Sequence, residues 1–142
     1  MSAILAGGIV TAASAEAAQA QDEAIWVSCA VPAGEQYQGP HLAGTFRIGD
    51  NTFRQLDPST VSLREDYCVS TDVVISECRL SEDEFVMVRR VVHPNLAGQV
   101  YEDRIDRRTG RASSYDIWQG VRRGPLVTVC RGVADPRPSN QF

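Results

Sequence analysis

The chain has 142 residues, 43% of them hydrophobic, with a formal net charge of −4. That is one domain's worth of chain with enough apolar content for a single core. The net acidity argues against nucleic acid as the main partner, because binders of phosphate backbones carry a basic excess.

Residues 1–20 come first and differ from the rest. Ala3–Ala13 is apolar and small, and it runs into Ala18-Gln19-Ala20, an A-x-A cleavage signal before Gln21. This predicts a secretory signal peptide. No basic residue precedes Arg47, so the charged beginning of such a peptide is missing, as a start assigned downstream of the true one would leave it. An Ala-rich helix over Thr11–Ala20 is the competing reading. The apolar run is well short of the roughly 20 residues that span a bilayer, so no transmembrane segment is expected. The expected location is periplasmic or secreted.

From residue 21 to residue 134 the chain reads as a single β-domain. Predicted strands are Ile25–Val31, Leu42–Ile48, Thr52–Leu56, Thr60–Arg64, Asp72–Leu80, Phe85–Val92, Gln99–Asp106, Arg111–Trp118 and Pro125–Gly132. Their separators are turn sequences: Pro32-Ala33-Gly34, Gly49-Asp50-Asn51, Asp57-Pro58, His93-Pro94-Asn95 and Arg123-Gly124-Pro125. Short strands so spaced indicate an all-β fold, a small antiparallel barrel or sandwich of about eight strands. Ser81-Glu82-Asp83-Glu84 has the form of a helix cap, but the β-rich Phe85-Val86-Met87-Val88 that follows makes it a turn. In the hairpin Val100–Trp118, Asp106 opens a type I turn and Gly110 takes the left-handed position. Tyr101, Asp103 and Ile105 share one face there, and Tyr101, Ile105, Tyr115 and Ile117 are expected to face the core. Residues 135–142, with Pro136 and Pro138, should form an extended tail.

Charge is spread unevenly. Four arginines face twelve acidic residues between Gln21 and Val86, whereas ten face five from Met87 onward, and lysine is absent. Pairing across neighbouring strands is the ordinary use of such a split. The functional use is a basic contact for an anionic partner, and Arg122-Arg123, read as an exposed turn between Gly120 and Gly124, is the expected contact.

Four cysteines in an exported chain are expected to pair. Three pairings exist; Cys68–Cys78 as a local staple with Cys29–Cys130 tying the first strand to the last is the preferred one. A zinc or redox site lacks C-x-x-C spacing. His41 and His93 have no partner at metal-ligand spacing, and the common catalytic and phosphate-binding motifs are absent from the sequence. A set of Ser113 or Ser114, His93 and Asp103 can be drawn, as composition alone allows. Glu82, Asp83 and Glu84 lack the pattern of a calcium loop, and Trp26 and Trp118 read as core or rim aromatics. No catalytic residue, metal or cofactor is therefore expected.

The string Ile105-Asp106-Arg107-Arg108-Thr109-Gly110-Arg111 leading to Thr128-Val129-Cys130 resembles uncharacterised small secreted bacterial β-domain proteins with an I-D/N-R-x-T-G hairpin before a late cysteine. The resemblance covers the C-terminal third and implies an exported β-domain. A looser likeness is to the C-type periplasmic lysozyme inhibitors, also small disulfide-bearing barrels. Their Ser-Gly-x-x-Tyr element has its nearest counterpart in Ser113-Ser114-Tyr115, which lacks that spacing. The resulting expectation is a non-catalytic domain that binds an unidentified protein or other component of the cell envelope. The alternatives are an inhibitor of a hydrolase such as lysozyme, a hydrolase with a site on its loops, and a carrier of a small apolar ligand.

Overall fold

A computed structural model describes residues 24–96 and 98–138; the expected signal peptide lies outside them. Among the described residues nine strands form one antiparallel sheet: β1 Ile25–Ala30, β2 Gly44–Gly49, β3 Thr52–Asp57, β4 Ser62–Asp66, β5 Val74–Leu80, β6 Glu84–Val91, β7 Val100–Asp106, β8 Arg111–Trp118 and β9 Val121–Val133. All nine predicted segments are strands. Their order, β4-β3-β2-β1-β9-β8-β7-β6-β5, puts the first and last strands side by side in the middle and leaves β4 and β5 as the edges. Among the described residues no helix is long and apolar enough to cross a membrane.

The sheet rolls on itself. Phe53 of β3 stacks on Phe85 of β6 at 5.6 Å and on Phe46 of β2 at 4.8 Å, although β3 and β6 lie near opposite ends of the strand order. Phe53 and Phe85 are each 1% exposed, and Ile48, Met87 and Ile105 pack into the same core. At this lower end the Asp50 carboxylate of the β2–β3 turn accepts the Leu80 backbone N–H of β5, linking distant parts of the strand order. Arg107 N–H donates to Asp83 O between the neighbouring β7–β8 and β5–β6 turns. Ser81 makes a turn as expected, its hydroxyl accepting from Glu84 N.

Both predicted disulfides are present. Cys29 and Cys130 sit directly opposite one another on β1 and β9. The Cys68–Cys78 bridge has a different job from stapling one hairpin. It joins the connection after β4 to the middle of β5, and so links the two edge strands across the seam. Ser70 of that connection bonds both the N–H and the C=O of Ser76, covering polar groups that an edge strand would otherwise leave open. Two bridges in so small a domain fit an oxidising compartment, periplasmic or extracellular.

One boundary differs from expectation. β9 begins at Val121, and Arg123-Gly124-Pro125 lies within it. The hairpin turn is Gln119-Gly120, with φ of 50° and 78° at its two central residues, the pattern of a two-residue type I′ turn. Gly124-Pro125 instead makes a bulge opposite Tyr115, because three residue steps on β9 match two on β8. Beyond β9, Arg137 lies over the Trp26 ring at 5.1 Å.

Candidate binding surface at the open end of the rolled sheet

The upper end, opposite the aromatic core, is polar inside. β7 and β8 pair in a register that sets Ile105 against Ala112, Asp103 against Ser114 and Tyr101 against Asp116. Asp103, Ala112, Ser114 and Asp116 are each under a tenth exposed, so these residues face inward. The expectation that Tyr115 and Ile117 face the core is thereby corrected: they lie on the outer face, while Tyr101 and Ile105 keep the predicted side. Strand alternation divides β8 into two faces without saying which is buried. Here the more polar face is inside, because it supplies partners for the inward charges of β6, β7 and β9.

Asp103 is the centre of this polar interior. Its carboxylate accepts the Ser114 hydroxyl at 2.6 Å and stands 3.9 Å from the Arg89 guanidinium on β6. Burial pushes the carboxyl above the ordinary aspartate value of 3.8, against the opposing pull of the Ser114 bond and the Arg89 charge. A raised folded-state pKa means that this group's contribution to stability is complete below 3.8 and is lost as pH rises through the folded value. Carboxyl-carbon NMR should therefore find the Asp103 midpoint above 3.8, and Arg89→Gln should move it higher still. A midpoint at or below the ordinary value would refute this account.

The bulge in β9 decides what the two candidate arginines do. By shifting the alternation it turns Arg123 toward Asp116, which takes it in a two-pronged ion pair, Nε to Oδ1 at 2.8 Å and Nη2 to Oδ2 at 2.6 Å. Arg123 and Asp116 thus line a cavity of about 150 Å³ together with Gln38, Gly39, Ser114 and Leu126. Arg122 points to the outer face. Its guanidinium lies 3.7 Å from the centroid of the Tyr115 ring and 3.7 Å from the Glu102 carboxylate. Both arginine side chains remain more than half exposed. They stand on a strand held by neighbours rather than in a free turn.

The long β1–β2 loop crosses this end and separates two cavities. Gln38, Gly39 and Pro40 line the first, and His41, Leu42 and Ala43 line a second of about 140 Å³ that also contains Gln55, Tyr67 and Arg89. Tyr37 donates its hydroxyl to Val127 O, pinning the loop to β9. His41 sits edge-on to the Tyr37 ring, and the His93 ring nitrogen accepts Asn95 N–H in the β6–β7 loop. Of the set Ser113 or Ser114, His93 and Asp103, the structure brings Ser114 and Asp103 together. No group of three or more metal-ligating side chains occurs among the described residues. Trp26 is buried near the lower end, and Trp118 is half-buried beside the hairpin turn.

Sequence reasoning missed Arg89, Tyr67 and the inward role of Asp103. The signal for Asp103 was legible, since it shares strand parity with the core residue Ile105. No local pattern marks Arg89, whose neighbours Tyr67 and Tyr101 come from distant segments. No protein-family model, curated protein or solved structure matches the chain.

Proposed function

We propose that the protein is a non-catalytic exported β-domain that binds a component of the cell envelope through the outer face of its β8–β9 hairpin. The observation that carries this reading is the placement of Arg122 over Tyr115 on an exposed strand, directly opposite Ile117 in the ladder. Arginine and tyrosine are the residue types that dominate binding energy at interfaces, and a side chain already fixed loses less entropy on contact. The two disulfides support the same reading, because they brace the scaffold in an oxidising location. Arg123 is committed to Asp116 on the opposite face of the strand, which leaves Arg122 as the candidate contact on this one.

The test is site-specific photo-crosslinking in the native host, with the reactive group placed at Ile117, which faces Arg122 across the ladder. An adduct with an envelope component is expected, and Arg122→Glu should abolish it while the Arg123–Asp116 pair is left intact. An adduct that persists in that variant, or that forms only with cytoplasmic components, would overturn the reading.

A further inference from the structure

Arg89 carries a positive charge with its hydrogen-bonding capacity largely unused. Its side chain is 26% exposed, and its faces are covered by two rings, Tyr67 at 5.0 Å and Tyr101 at 5.5 Å from the guanidinium carbon. The buried Nε has no acceptor, and Nη2 stands 3.9 Å from Asp103, beyond hydrogen-bond length. Among the described residues the guanidinium therefore has no hydrogen-bonded acceptor. A half-buried cation in that state gains from any acceptor that reaches its free edge, because water solvates it poorly and the protein does not replace the water. The space to do so is present: the 140 Å³ cavity that Arg89 lines, with Gln55 and His41 also on its wall.

We propose that this cavity is a binding site for the carboxylate group of a small organic acid, received by the edge of the Arg89 guanidinium between Tyr67 and Tyr101. Three features select the ligand class. A planar guanidinium matches a planar carboxylate with two parallel bonds. A doubly charged anion loses much more hydration than a singly charged one on entering a cavity where Arg89 is partly offset by Asp103, 3.9 Å away, which disfavours phosphate. The volume is well under the roughly 300–1,000 Å³ of pockets that enclose drug-sized ligands, so the site takes a small acid or the acidic end of a larger one. The apolar side chains of Phe46 and Phe53 on the same wall favour a hydrocarbon substituent beside the carboxylate.

This site is separate from the envelope contact at Arg122 and is tested apart from it; its failure would leave the crosslinking result at Ile117 standing. Benzoate, its neutral analogue benzamide and inorganic phosphate are titrated into the full oxidised chain while the Arg89 Nε–H resonance is followed by ¹⁵N NMR. Benzoate should shift that resonance saturably and benzamide should not, while phosphate should bind more weakly than benzoate. Arg89→Gln should weaken benzoate binding at least about tenfold, with Arg89→Lys in between. The wild-type resonance decides the matter even where a variant fails to fold. No saturable shift with benzoate, an equal shift with benzamide, or tighter binding of phosphate would each overturn the proposal.

Discussion

Replacing Cys29 and Cys130 together by alanine is expected to lower the unfolding free energy by about 4 kcal/mol, against about 2–3 kcal/mol for the same change at Cys68 and Cys78. The difference follows from chain entropy. The first bridge spans a sequence separation of 101 residues and the second a separation of 10, and a longer loop held closed in the unfolded chain removes more of its freedom. Packing adds to the first effect, because Cys29 and Cys130 belong to the core and are 3% and 6% exposed. Against the usual 5–15 kcal/mol of a domain, a loss of this size threatens the fold itself. The second bridge should act locally, since it ties β5 to the connection after β4 across the seam. Losing it should release hydrogen-exchange protection in β4 and β5 while the central strands stay protected. Denaturant titration of the two double variants, with slopes compared to the parent, checks the order. A larger loss at Cys68 and Cys78 would mean that closing the seam outweighs chain entropy.

What could be read in advance was whatever is written locally. The nine strands announce themselves through alternation and turn residues. The preferred cysteine pairing followed from putting the first and last strands together, which the β1–β9 ladder does. Three things escaped, each for a physical reason. Gly124-Pro125 is turn chemistry by composition, yet the two residues that turn are Gln119 and Gly120, and the Gly-Pro pair bulges inside a strand. The inward face of β8 was assigned to Tyr115 and Ile117 because an apolar interior was assumed, whereas the upper end of this rolled sheet holds Asp103, Ser114 and Asp116 inside. Finally, the surroundings of Arg89 are assembled from the β4–β5 connection, β6 and β7, and such a meeting is invisible before the sheet has rolled. The candidate site is therefore less legible than the fold, since its members are joined by the rolling of the sheet and not by sequence spacing.

Two glycines separate the cost of a backbone conformation from the cost of a close approach. Gly110 and Gly120 both have φ of 78°, in the left-handed region that disfavours a side chain. At Gly120, in the β8–β9 turn, a Cβ would meet nothing within 4 Å. At Gly110 it would fall closer than 3.0 Å to the carbonyl oxygen of Cys130, a distance that real Cβ atoms do not show. That oxygen belongs to the backbone of β9 and cannot swing aside as a side chain would. Gly110 is also bonded on both sides, its N–H to Asp106 O and its C=O from Cys130 N. Relief would have to break one of these bonds or push β9 away from the β7–β8 turn, beside the Cys29–Cys130 bridge. Gly120→Ala is thus expected to destabilise by about 1–2 kcal/mol, and Gly110→Ala by on the order of 3–4 kcal/mol. Thermal and denaturant unfolding of the two variants measures both numbers. Equal losses would show that the left-handed conformation accounts for the whole effect and that the approach of Gly110 to β9 is looser than the register of the sheet requires.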